Sequence, residues 1–367
     1  MDAARLRAAF PVLKRVVYLN AGTCGPLPGA AQRAAVEAWR SGTEEGRGHA
    51  FYGRLIPLAE QLRERYAGVL GASPAEVALT AGTSDGCGHV VAGLQLGPGD
   101  EVVTADDEHP GLQGPLIAAR DQRGVTVNAV PLADIPGAVT DATRLIACSH
   151  VSWHSGAVAP VAEIVAVARP RGIPVLLDGA QGVGAVPTDV ARLGVDFYAG
   201  SGQKWLCGPV GCGMLWIAPR WLERLAAPRV GYGGLVAPDA GLASPLVTDA
   251  HRHDTPLHDL SIVAAAVAAF DVLAEAGMEA VQRRAATLAA HLADALADAG
   301  HDVVPRDETT LVAWAVPGGD EEAVAIRDRL QEQGITIRDL PGAGRLRASV
   351  GAWNDEDDLE RLVMALS

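Results

Sequence analysis

Between residues 28 and 218, short apolar runs that end in small or polar residues alternate with longer stretches whose apolar positions recur at helical spacing. Residues 76–80, 101–105, 126–131, 144–149, 174–178, 196–200 and 214–218 read as strands, and 28–41, 58–70, 112–123 and 161–169 as helices. The run Pro174-Val-Leu-Leu-Asp178 has no polar alternation, as expected for a strand covered on both faces. Strands alternating with helices in this way predict an α/β domain with a mostly parallel sheet.

The pattern changes after a Gly-, Pro- and His-rich stretch at 230–258. Residues 260–276 and 279–299 read as helices, 311–316 as a strand, 321–333 as a helix and 346–350 as a strand. A final helix starts near Asp355, with Asn354 as its expected N-cap. The expected division is a large domain over 18–256 and a smaller one made of 1–17 and 257–367.

With 367 residues, 49% of them hydrophobic, the chain has material for a sizeable core. A formal charge of -14 argues against a nucleic-acid backbone or an anionic membrane as main partner. No apolar run has membrane-spanning length, and the start lacks a basic-then-apolar secretion pattern, so a cytoplasmic location is expected. Five scattered cysteines without a Cys-x-x-Cys pair read as reduced thiols.

The distinctive chemistry lies where strands end, the place where open α/β sheets bind ligands. Lys204 is one of two lysines in a chain that otherwise uses arginine for positive charge, and it sits in a small, Gly-bounded loop. A lysine amine can shed its proton and form a Schiff base, which a guanidinium cannot. Asp178 closes an apolar strand, where a buried carboxylate needs a cationic partner such as a protonated pyridine nitrogen. The Ala81-Gly-Thr-Ser-Asp-Gly86 turn opens a helix whose free N–H groups favour a phosphate. His109 follows another strand, and the polar loop 149–156 carries His154. Lysine, aspartate and phosphate turn together describe a pyridoxal phosphate (PLP) site. In 345–350, Arg345, Arg347 and Ser349 alternate with apolar residues, so both arginines face one way and offer a carboxylate clamp.

The start Tyr18-Leu-Asn-Ala-Gly-Thr-Cys-Gly-Pro-Leu-Pro28, the turn Asp178-Gly-Ala-Gln181 and the stretch Ser201-Gly-Gln-Lys204-Trp-Leu-Cys-Gly-Pro209 resemble signatures of the class V aminotransferase family of fold-type I PLP enzymes. The resemblance implies a large, mostly parallel mixed-sheet domain with a smaller α+β C-terminal domain. It implies that Lys204 carries the cofactor as a Schiff base, that Asp178 pairs with the pyridinium nitrogen, that Gln181 contacts the ring hydroxyl and that His109 stacks on the ring. Thr83, Ser84, Ser201 and Gln203 would hold the phosphate, although many relatives carry His where this chain has Gln203. Thr255 would reach the phosphate of a neighbouring subunit, implying a homodimer with shared active sites. Arg347 would hold the substrate α-carboxylate, with Asn20 and His154 as further substrate contacts.

Within that family the Asn-Ala-Gly-Thr start and Lys-Trp-Leu look closer to the isopenicillin N epimerase-like and carbon–sulfur lyase branch. The expected reaction is β-elimination from a cysteine S-conjugate or cystine, giving a thiol or persulfide, pyruvate and ammonia. The alternative is an epimerase, aminotransferase or decarboxylation-coupled deaminase acting on an amino-acid-derived biosynthetic intermediate. Residues 338–344 hold no cysteine, which argues against a protein-bound persulfide at that loop. Cys24 reads as a packing thiol. His251, His253 and His258 match no metal-ligand spacing, and read as a polar interface loop rather than a metal site.

Overall fold

The computed structural model describes residues 2–255 and 259–366. Its strands are β1 (Val17–Tyr18), β2 (Val77–Thr80), β3 (Glu101–Ala105), β4 (Thr126–Val130), β5 (Thr143–Ser149), β6 (Val175–Asp178), β7 (Phe197–Ser201), β8 (Gly213–Ile217), β9 (Leu311–Ala315), β10 (Ile335–Thr336), β11 (Arg338–Leu340) and β12 (Arg345–Ser349). Seven of them form one sheet in the order β2-β8-β7-β6-β5-β3-β4. Only β8 runs against its neighbours, so the other six present their carboxyl ends along a single edge.

Every residue of β2, β3, β6, β7 and β8 is buried, which explains the missing polar alternation. Successive side chains enter different cores. Leu177 joins Leu62, Tyr66 and Val103 on one face, while Leu176 joins Val90, Val102 and Leu112 on the other. Edge strand β4 alone in this sheet keeps a mixture of exposed and half-buried residues.

The helix Leu260–Ala276, assigned by sequence to the smaller unit, packs on the helices Gly29–Glu44 and His49–Leu70. Small residues Ala31, Ala265 and Ala269 let the helices approach, and Leu260, Val263 and Ala266 share the core of Leu62 and Leu177. The expected boundary itself falls at residues outside those described. Among the described residues no single helix is long and apolar enough to cross a membrane.

The smaller sheet is antiparallel, β11-β12-β9, and β1 pairs with β10 beside it. Val17 and Leu19 share a core with Trp314, Leu346 and Ala348. The chain then leaves this core: Asn20 bridges Ser349, and Gly25 donates its N–H to the Gln203 carbonyl at 2.7 Å. A Cβ on Gly25 would lie 2.1 Å from the Lys204 carbonyl oxygen, so glycine is what lets residues 20–25 press against the lysine loop. One sequence expectation needs correction. Asp355, not Asn354, caps the helix Glu356–Leu366, accepting the Asp358 N–H at 3.1 Å. Asn354 instead receives Gly351 N–H and donates to the Tyr18 carbonyl, tying the N-terminal segment down.

Candidate active site

Asp178 ends β6 only 4% exposed, and its Oδ1 accepts the Ala180 N–H at 2.9 Å. The turn beyond it fits under Tyr198. A Cβ on Gly179 would lie 2.1 Å from the Tyr198 ring, and one on Gly182 would lie 2.3 Å from its hydroxyl. Burial raises the Asp178 pKa, and the Lys204 charge and the Ala180 N–H oppose that rise. Lys204 itself is pushed down to about 8 by burial, with the Arg347 and Arg338 guanidiniums adding to the effect and Asp178 opposing it. An amine at that position sheds its proton near neutral pH.

The expected phosphate cradle is partly assembled. Thr83 opens the helix Thr83–Gly93, and its Oγ1 lies 2.5 Å from Ser201 Oγ at the end of β7. A Cβ on Gly213 would come within 2.5 Å of Gly82 Cα, so two backbones meet there without side chains between them. Ser84 is exposed and faces the start of the next helix, where a Cβ on Gly111 would lie 2.3 Å from its Oγ. Thr255 is tied to the same turn within its own chain: its hydroxyl donates to Asp85, and its N–H donates to the Leu79 carbonyl.

His109 caps the helix Pro110–Arg123 by accepting Gly111 N–H on Nδ1 at 3.0 Å. Burial first, then the Lys204, Arg338 and Arg347 charges, lower its pKa to about 4. The ring is therefore neutral, with its proton on Nε2. Gln181 donates to the Gly22 carbonyl at 2.8 Å and accepts the Trp205 indole N–H at 3.0 Å, which locks its amide orientation.

On the substrate side, Arg347 is fully buried, and its Nη1 donates to the Trp153 carbonyl at 2.7 Å. Burial and Arg338 lower its pKa to about 9. Three polar groups converge on Gly22, where a Cβ would meet Ser349 Oγ at 2.7 Å, Arg347 Nη2 at 2.9 Å and Gln181 Oε1 at 3.1 Å. Asn20 accepts the Thr23 hydroxyl at 2.8 Å. The His154 ring stands edge-on to Trp153 with centroids 4.2 Å apart. Gln203 Oε1, Arg347 Nε and Nη2, and Ser349 Oγ are buried without a hydrogen-bond partner among the described residues. Buried polar atoms normally have partners, so this cluster fits a polar ligand held between Lys204, Asp178 and Arg347.

Sequence reasoning missed three residues here. Arg338 lies directly across from Arg347 in the β11–β12 ladder, so the two guanidiniums share a face. Trp153 touches His109, His154 and Arg338. Glu108, which sits in sequence beside two other acids, is buried, receiving Ser149 N–H at 2.7 Å and Ser149 O–H at 2.5 Å. Burial, reinforced by the Asp178 charge and opposed by Ser149, pushes its pKa up to about 8. The folded chain thus keeps a proton that the unfolded chain releases from about pH 4.5 upward, and stability falls as pH rises through that window. Denaturation of Glu108→Gln between pH 5 and about 8.5 should show a flatter stability profile than the native chain; parallel profiles would refute the assignment.

The histidine-rich segment forms no common centre. His251 bonds Asp249 and Glu60, whereas His253 pairs with His89 at 2.7 Å. His258 lies outside the described residues. Among the described residues no group of three His, Cys, Asp or Glu could hold a metal ion. Cys24 is half-buried beside the site, and burial pushes its thiol pKa up.

Comparison with known proteins identifies the family. The family described as Aminotransferase class-V matches residues 17–362. An isopenicillin N epimerase of Streptomyces clavuligerus is 30% identical, covering 96% of this chain and 94% of its own. A probable cysteine desulfurase of Pseudomonas aeruginosa is 35% identical over 85% of this chain and 83% of its own. Among solved structures, the cystine C–S lyase C-DES in complex with its product cysteine persulfide superposes with a TM-score of 0.91 at 29% identity, covering 97% of this chain and 98% of that one. A C-DES variant with glycine covalently linked to the PLP cofactor gives 0.93 at the same identity, with 98% of each chain covered. The chain belongs to the class-V aminotransferase family and is a PLP-dependent enzyme.

Proposed function

We propose that the protein is a homodimeric carbon–sulfur lyase that cleaves cystine to cysteine persulfide, pyruvate and ammonia. The observation that carries this reading is the Arg338–Arg347 pair. Two cross-strand guanidiniums point the same way, and among the described residues neither has a carboxylate partner. Like charges on one face are unfavourable unless a ligand neutralises both, and cystine brings two carboxylates at its two ends. The product held by C-DES supports the same chemistry.

PLP, when bound, supplies an electron sink for the pair left behind as the Cα proton departs. Lys204 and Asp178 would hold its two reactive ends, and Thr83, Ser201 and the start of the helix Thr83–Gly93 would hold its phosphate. Arg347 fixes the α-carboxylate and so aims the Cα–H bond. Lys204, with its amine near neutrality, takes that proton. The Cβ–S bond then breaks with its electron pair leaving on sulfur, and one water is consumed as the three-carbon remnant becomes pyruvate and ammonia. The β11–β12 connection is a four-residue turn without cysteine, so the outgoing sulfur stays on the small molecule.

A second reading, epimerisation, is favoured by the Streptomyces clavuligerus relative, since Lys204 could return the proton to Cα. Exposed Val36, Trp39, Tyr52 and Ile56 on the N-terminal helices, with Tyr232 and Leu242, support burial against a second copy. The test is purified enzyme, sedimenting as a dimer, incubated with L-cystine in deuterated water. Equimolar pyruvate and ammonia are expected. Cα deuteration of recovered substrate without pyruvate would replace this reading by epimerisation.

A further inference from the structure

Arg338 is held without being neutralised. Its neighbour in sequence, Asp339, is engaged by Arg327, and its own contacts are Thr23 Oγ1 at 3.4 Å and the face of Trp153, with Cζ 5.3 Å from the ring centroid. That distance lies within the range of a cation–π contact. The Trp153 ring is itself fixed. Its indole N–H donates to the Asp107 carbonyl at 2.9 Å, and His109 and His154 stand edge-on to it at 5.0 and 4.2 Å. The Trp153 main chain meanwhile accepts Arg347 Nη1. One residue therefore positions both arginines, Arg338 through its ring and Arg347 through its carbonyl.

We propose that Trp153 is a specificity-determining positioning residue, whose ring parks Arg338 as an available cation for the distal carboxylate of the substrate. This rests on the dicarboxylate reading above. A carboxylate in place of the indole would hold Arg338 equally well but cancel the charge that the ligand needs. An aromatic face attracts the guanidinium yet leaves its N–H groups free to turn towards an incoming anion. Removing the ring should loosen Arg338 while leaving the main-chain contact to Arg347 in place.

The test compares two substrates with the same disulfide: cystine, and the mixed disulfide of cysteine with cysteamine, which lacks the distal carboxylate. For Trp153→Leu the KM for cystine should rise about tenfold, in the range a desolvated cation–π contact provides, with kcat within about twofold. The mixed disulfide should be almost unaffected. Trp153→Phe, which keeps a ring face, should recover most of the cystine affinity. In the Arg338→Gln background, Trp153→Leu should add nothing further. Equal losses on both substrates, or additive losses in the double variant, would show a structural role instead and overturn the proposal. If Trp153→Leu does not fold, Trp153→Met, which also lacks a ring face, is read in its place with the same two outcomes. A native enzyme that treats the two disulfides alike would remove the dicarboxylate reading itself, and this proposal with it.

Discussion

Lys204→Ala is expected to reduce pyruvate formation by about three orders of magnitude or more, the range associated with losing a positioned proton carrier. The visible absorbance of a lysine-linked cofactor should vanish with it. Lys204→Arg should fare no better, because a guanidinium keeps its proton under all working conditions. The surroundings oppose a charge at this position: burial and two guanidiniums push the amine down to about 8. For the same reason the alanine chain should melt no lower than the native chain without cofactor, since it no longer buries an amine. Retention of more than about a tenth of native turnover by either variant would move proton transfer to another group.

For Arg347 the two readouts should move in opposite directions. Arg347→Gln should lower kcat/KM by about 30- to 5000-fold, the equivalent of the 2–5 kcal/mol lost when one member of a buried charge pair is removed. Arg347→Lys should recover little of this, because a point charge cannot make two parallel bonds to a carboxylate. Without substrate, however, the native chain carries a fully buried guanidinium whose Nε and Nη2 have no partner among the described residues and which faces Arg338. Removing that charge should raise the melting temperature. Steady-state kinetics and calorimetry on one preparation check both. A stabilising role for Arg347, seen as a lower melting temperature in Arg347→Gln, would contradict the clamp.

Much of the site was legible in the sequence because its members sit at strand ends, where an apolar run gives way abruptly to polar chemistry. Asp178 announced itself in this way and Lys204 as one of two lysines in the chain, and the strand at 101–105 and the helix at 260–276 lie where their apolar spacing placed them. Other features depend on distances that spacing does not carry. Glu108 looks like its neighbours Asp106 and Asp107 until the fold lays it against Ser149. Strands β10 and β11 have two and three residues, too few for any period to show. Arg338 becomes a partner of Arg347 only through the register of β11 on β12. The helix Leu260–Ala276 is apolar enough to be buried anywhere, and only the small residues facing it decide which unit claims it.

That register is set outside the site. Asp320 accepts the N–H groups of Gly342 and Gly344 at 2.8 and 2.7 Å, and both glycines have positive φ, at +77° and +58°. A carboxylate clasping two amides of a left-handed turn fixes where the strand reverses. Because side chains alternate across a strand, a slip of one residue would send Arg338 to the opposite face of the sheet from Arg347. If Arg338 and Arg347 together receive a dicarboxylate, as proposed above, a surface turn decides whether they can do so. Inserting or deleting one residue there would change substrate preference as surely as replacing an arginine.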